Sequence, residues 1–116
     1  MLESVSEKDV PCCCTKAKDY EMCSRFVRAF EIIGKKWNGL IISSLCKHKS
    51  MRFKDLAHAI GACSDRVLVS RLKELEEEEI VNRSVEDGII SYSLTEKGAD
   101  LAPVFKQVHV WADKWA

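Results

Sequence analysis

The sequence lacks any long apolar run. No stretch approaches the roughly 20 residues that a membrane-spanning helix needs, and no basic-then-apolar secretory signal opens the chain. It also lacks a net charge, since 18 Lys and Arg balance 18 Asp and Glu. A nucleic-acid partner is therefore invisible in the total, and any basic footprint must be local. There is no phosphate-binding glycine loop, nucleophile elbow or zinc-protease helix motif, so an enzyme is not expected. A Cys-x-x-Cys pair is missing as well, which argues against the common structural zinc site and against a thiol oxidoreductase. Together these absences predict a soluble cytoplasmic protein with no membrane partner, no cofactor and no resident metal.

What is present is 116 residues, 47% hydrophobic and 31% charged, the size and balance of one globular domain. Six cysteines are many for this length: Cys12, Cys13, Cys14, Cys23, Cys46 and Cys63. Without a secretion signal a disulfide framework is not expected, which leaves sensing, metal binding or inert burial. Residues 1–20 are polar and irregular and read as a cysteine-containing tail; residues 21–116 read as the folded domain.

Helical spacing places Met22, Phe26, Ala29, Phe30 and Ile33 on one face, with Ser24 as N-cap and Gly34 as stop. A second helix is expected over about Trp37–Cys46, with Trp37, Leu40, Ile41 and Leu45 inward. A third covers about Phe53–Ile60. Gly61-Ala62-Cys63 breaks the pattern, and Ser64 caps a fourth helix striped by Leu68, Leu72 and Leu75. Two alternating runs follow, Val81/Arg83/Val85 and Ile90/Tyr92/Leu94, joined by Asp87-Gly88, a hairpin turn signal. Thr95 then caps a last helix, about Gly98–Trp115. A short helix, a tight turn, a longer helix and a hairpin make a winged helix-turn-helix, mainly α with a small β-hairpin.

The fourth helix is charged unevenly. Arg66, Arg71 and Lys73 fill its first half, and Glu74 and Glu76–Glu79 its second. The macrodipole favours the opposite arrangement by about 0.3–1 kcal/mol per charge. Docking on a duplex explains the inversion: cations at the front gain from phosphate pairing and counterion release, and acids are kept away. With the leucines inward, Asp65, Arg66, Val69, Ser70 and Lys73 face out. Arg66 and Ser70 suit base edges, while Arg71 and Lys73 suit phosphates, the former able to pair with Glu74 and the latter with Glu77. Lys47, Lys49, Arg52 and Lys54 cluster before the third helix, in reach of backbone.

Four stretches in order, IIGKKWNGLIISSL, MRFKDLAHAIGACS, VLVSRLKELEEEEIVNRSV and YSLTEKG, resemble the HxlR family of winged-helix transcription regulators over roughly residues 22–115. The resemblance implies a homodimer on a palindromic DNA operator, with recognition helix 64–79 and wing 81–94. It implies dimerisation through the first and last helices, here Phe26 and Phe30 with Leu101, Phe105, Val108, Trp111 and Trp115. This hairpin departs from the family pattern: it is short, and its turn carries Glu86 and Asp87, which repel phosphate. Only Arg83 at its base keeps a basic role, beside Ser64, Arg66, Ser70, Arg71, Lys73, Arg52 and Lys54.

Cys23 stands at the expected start of the first helix, where the helix dipole, Arg25, Lys16 and Lys18 favour a thiolate. The subgroup of this family that senses quinones and diamide has a cysteine at the same spacing from Gly-Lys-x-Trp, so the resemblance implies redox or electrophile sensing by Cys23. A small electrophile or oxidant would be the inducer. Cys12, Cys13 and Cys14 are candidates as resolving thiols, or with Cys23 as a soft-metal or metalloid site. Cys46 reads as core, and Cys63, in the helix-turn-helix turn, as core or a secondary sensor. His48, His58 and His109 show no ligand spacing. The expected function is a cysteine-switched repressor. The rivals are a thiolate metal-responsive repressor and a winged-helix protein-interaction module that touches no DNA.

Overall fold

The computed structural model describes residues 23–116. The tail, Met22, Lys16, Lys18 and the Cys12–Cys14 run lie outside them. The chain divides between Lys35 and Lys36 into two compact units.

The first unit contributes helix α1, Ser24–Ile33. Its N-cap is Cys23 rather than Ser24: the ladder already starts at the Cys23 carbonyl, which accepts from Val27 N–H at 3.0 Å. Gly34 stops the helix as expected, but with φ −85°, so no left-handed cap is involved.

The second unit runs α2 (Asn38–Lys47), β1 (Met51–Arg52), α3 (Phe53–Ile60), α4 (Asp65–Glu77), β2 (Val81–Glu86), β3 (Ile89–Leu94), α5 (Glu96–Ala99) and α6 (Ala102–Trp115). The hairpin is one edge of a three-stranded antiparallel sheet, ordered β1-β3-β2. Strand β1 has only two residues, too few to display a period-two pattern, and was not anticipated. The last helix is broken into α5 and α6. Pro103 sits in the first turn of α6, where its missing N–H is harmless; a helix continuous from Gly98 would bring its ring against the carbonyl of Ala99.

The core lies between α2, α3, α4 and the sheet. Leu68, Leu72 and Leu75 of α4 are each at most 1% exposed, and Ile41, Ile42, Leu45, Leu56, Ile80 and Val81 are the other buried aliphatics of the unit. Full burial of each such side chain contributes about 1.5–3 kcal/mol. The stripe of α2 is rotated from the expected one: Asn38 and Ile42 are buried, while Leu40 is exposed. Trp37 precedes this helix at φ +82°, a left-handed conformation rare for a bulky residue. Cys46 is exposed rather than core, one step past the buried Leu45.

The end of α4 has a well-defined cap. Glu79 is left-handed at φ +63°, its N–H bonds the Glu76 carbonyl at 3.0 Å, and Ile80 N–H bonds the Leu75 carbonyl at 2.9 Å. This is the Schellman arrangement, completed by burial of both Leu75 and Ile80. Glutamate occupies the position where glycine is usual.

Candidate nucleic-acid interface

Helix α4 starts at the expected residue. Ser64 is extended, and its Oγ accepts from Val67 N–H at 3.2 Å, which satisfies one orphan donor of the first turn. Burying Leu68, Leu72 and Leu75 turns Arg66, Val69, Ser70 and Lys73 outward, all exposed. Their spacing of three, one and three residues keeps them on one face. Lys73 forms no ion pair among the described residues, so the expected partnership with Glu77 is absent. Val69, 53% exposed, was assigned no role from sequence alone. Its place between Arg66 and Ser70 gives this face an apolar centre of the kind that meets a thymine methyl. The signal was the shared helical spacing.

Arg71 is placed differently. It is half-buried on the flank of α4, with Nη1 3.5 Å from both carboxylate oxygens of Glu74. The guanidinium is thus held along the helix beside the outward face. Arg52 and Lys54 are exposed at the start of α3, where Arg52 Nε lies 4.0 Å from Asp55.

The wing closes through Asp87 and Gly88 at φ +53° and +78°. Two successive left-handed residues make the two-residue turn whose twist matches a hairpin. Pairing runs from Val81↔Leu94 to Glu86↔Ile89, with Arg83 opposite Tyr92. Arg52 pairs with Ser91 and Ser91 with Ser84, so these three form one row across the sheet. Beside that row a concavity of about 360 Å³ is lined by Ser50, Arg52, Asp55, Glu86, Asp87 and Ser91. One cation against three carboxylates makes it a poor seat for phosphate.

Cys63 is buried in the turn before α4, its Sγ 3.5 Å from the Ser64 carbonyl. Cys23 is buried at the N-cap of α1, whose first turn carries no acid. Cys46 opens onto a small cleft lined by Ala102, Phe105 and His109, and partial burial there pushes its thiol pKa up. No three His, Cys, Asp or Glu among the described residues group as metal ligands. Of the residues expected to pair subunits, Phe26 and Phe30 are exposed with ring centroids 4.9 Å apart. Val108, Trp111 and Trp115 are exposed too, while Leu101 and Phe105 are half-buried.

The HxlR-like helix-turn-helix family model matches residues 32–116. The chain is 44% identical over 97 residues to the HTH-type transcriptional regulator YodB of Bacillus subtilis, covering 81% of this chain and 86% of that one. Among solved structures, quinone-bound YodB superposes with a TM-score of 0.70 at 45% identity, covering 80% of this chain and 99% of the other. The redox regulator HypR in its reduced form gives 0.74 at 30%, covering 78% and 92%. With the helix-turn-helix, the wing and the family motifs each in place, the chain belongs to the HxlR family of DNA-binding transcriptional regulators.

Proposed function

We propose that the protein acts as a homodimeric repressor on a palindromic operator and is released by oxidation or electrophilic modification of Cys23. The observation that carries this reading is the outward face of α4. Arg66, Val69, Ser70 and Lys73 stand exposed at the cationic end of a helix whose other face is locked into the core. Arg66 and Ser70 read base edges, Val69 meets a methyl group, and Ser64, Lys73, Lys54 and Arg83 hold phosphates, while Arg52 is offset by the carboxylates around it. Arg71 supports the same surface from its flank.

Dimerisation is supported by two helices with no fully buried residue among those described. Neither α1 nor α6 contains a buried residue. On α6, Val104, Val108, Trp111 and Trp115 are exposed at spacings of four, three and four, the seam that pairs helices. A second copy of the chain covers it, and the exposed Phe26 and Phe30 of α1 are separate dimer-contact candidates.

The switch is assigned to Cys23, buried at the N-cap of α1, a helix whose first turn carries no acid. The relatives YodB, with its diamide-treated and quinone-bound forms, and HypR, with reduced and oxidised forms, support the same chemistry. Cys63 is a secondary site and Cys12, Cys13 and Cys14 are candidate resolving thiols. Modification of one element at a dimerising helix biases the spacing of the two recognition helices.

The test is fluorescence anisotropy with a duplex selected from a random pool by the reduced protein. Diamide or benzoquinone should release the unmodified protein and leave Cys23→Ser bound. Release of Cys23→Ser to the same extent would move the sensing thiol elsewhere. A pool yielding no selected duplex would favour the protein-interaction reading, which the acidic wing tip favours.

A further inference from the structure

The rear of α4 poses an electrostatic problem that the front does not. It ends in acids with no cation in its last turn, at the negative end of the macrodipole. The missing charge arrives from far along the chain. Lys97 Nζ donates to the Glu78 carbonyl at 2.8 Å, across 19 residues. Thr95 Oγ1 donates to the Glu79 carbonyl at 2.6 Å and accepts from Gly98 N–H at 2.9 Å. Thr95 N–H donates to the Ile80 carbonyl at 3.0 Å. Gly98 is buried so tightly that a Cβ there would collide with the Ile80 carbonyl oxygen. Three successive carbonyls at the end of α4, those of Glu78, Glu79 and Ile80, are thus all fastened to one segment, Thr95–Gly98. That segment closes the wing and opens α5.

We propose that Lys97 and Thr95 are positioning residues for DNA recognition: they set the direction of α4 by holding its rear. The inference rests on the reading that residues 64–73 form the DNA-contacting front. Arg66 lies twelve residues before Glu78, roughly 18 Å along the axis. A tilt of about 5° at the rear therefore moves the front by roughly 1.5 Å, enough to break a bidentate bond to a base edge. Phosphate contacts by flexible lysines follow such a shift without loss. Releasing the latch consequently lowers sequence discrimination and leaves the electrostatic part of binding intact.

The test uses the reduced full-length protein, a duplex selected from a random pool, and a scrambled duplex of equal length, titrated from low to moderate salt. Lys97→Met should weaken binding to the selected duplex about fivefold or more. Affinity for the scrambled duplex and the salt slope should be unchanged, and Lys97→Arg should restore discrimination. Thr95→Val should behave like Lys97→Met, and thermal unfolding checks that each variant is folded at the assay temperature. Equal losses on both duplexes with a slope smaller by about one would make Lys97 a phosphate contact and overturn the proposal. Unchanged discrimination in folded Lys97→Met and Thr95→Val would reduce the latch to a stability element. Arg66→Ala is run alongside: if it too leaves the selected duplex bound, the front itself has been misplaced and the latch has nothing to aim.

Discussion

At the scale of single residues, the end of α4 concentrates the conformational demands of the fold. Glu79 is held left-handed although it carries a side chain, and Gly98 is confined against the Ile80 carbonyl. The two positions predict opposite outcomes. Glu79→Gly should stabilise the protein by about 1 kcal/mol, because glycine adopts that φ without a Cβ penalty. Gly98→Ala should destabilise it by about 2 kcal/mol or more, because a backbone oxygen cannot step aside. Urea unfolding with an unchanged m-value measures both. The Thr-x-x-Gly spacing was legible in the sequence as a family motif and as a cap. Its second task, gripping the carbonyls of Glu78–Ile80, was not, because those partners lie 15–19 residues away. Local spacing carries no information on such contacts. Cys46 shows the same limit: on a ten-residue helix, a small rotation of the apolar stripe decides between buried and exposed.

At the scale of elements, α4 and the wing differ in charge: cations stand on the front of α4 and carboxylates at the tip of the wing. The charge polarity of α4 was readable because it follows the chain, and the leucine stripe oriented it. The wing was readable as a hairpin, since Asp87-Gly88 supplies the two left-handed residues its turn requires. Its third strand was hidden by the brevity of β1. The tip presents Glu86 and Asp87, with no salt bridge to either among the described residues, beside a concavity that holds Arg52 and Asp55. Near a duplex these carboxylates oppose binding. Replacing them together, Glu86→Gln with Asp87→Asn, should raise affinity for any duplex by about two- to fivefold at low salt. The gain should shrink at physiological ionic strength, where the screening length is about 8 Å. Equal affinity at every salt concentration would place the tip away from DNA.

At the scale of the whole molecule, the sequence carried the architecture and the family because its helices, turn and hairpin agree with one another in order and length. What it could not carry is arrangement between copies. The exposed seam of Val104, Val108, Trp111 and Trp115 supports a dimer, and two copies related by a twofold axis present two cationic fronts. Those fronts must then fall in successive major grooves, about 34 Å or one helical turn apart on the same side of the duplex. Hydroxyl-radical footprinting of the reduced protein on a selected duplex tests this most directly. The account predicts two inverted half-sites centred about 10 base pairs, or a whole multiple of a turn, apart. A single unrepeated patch of protection, or half-sites on opposite sides of the helix, would contradict it.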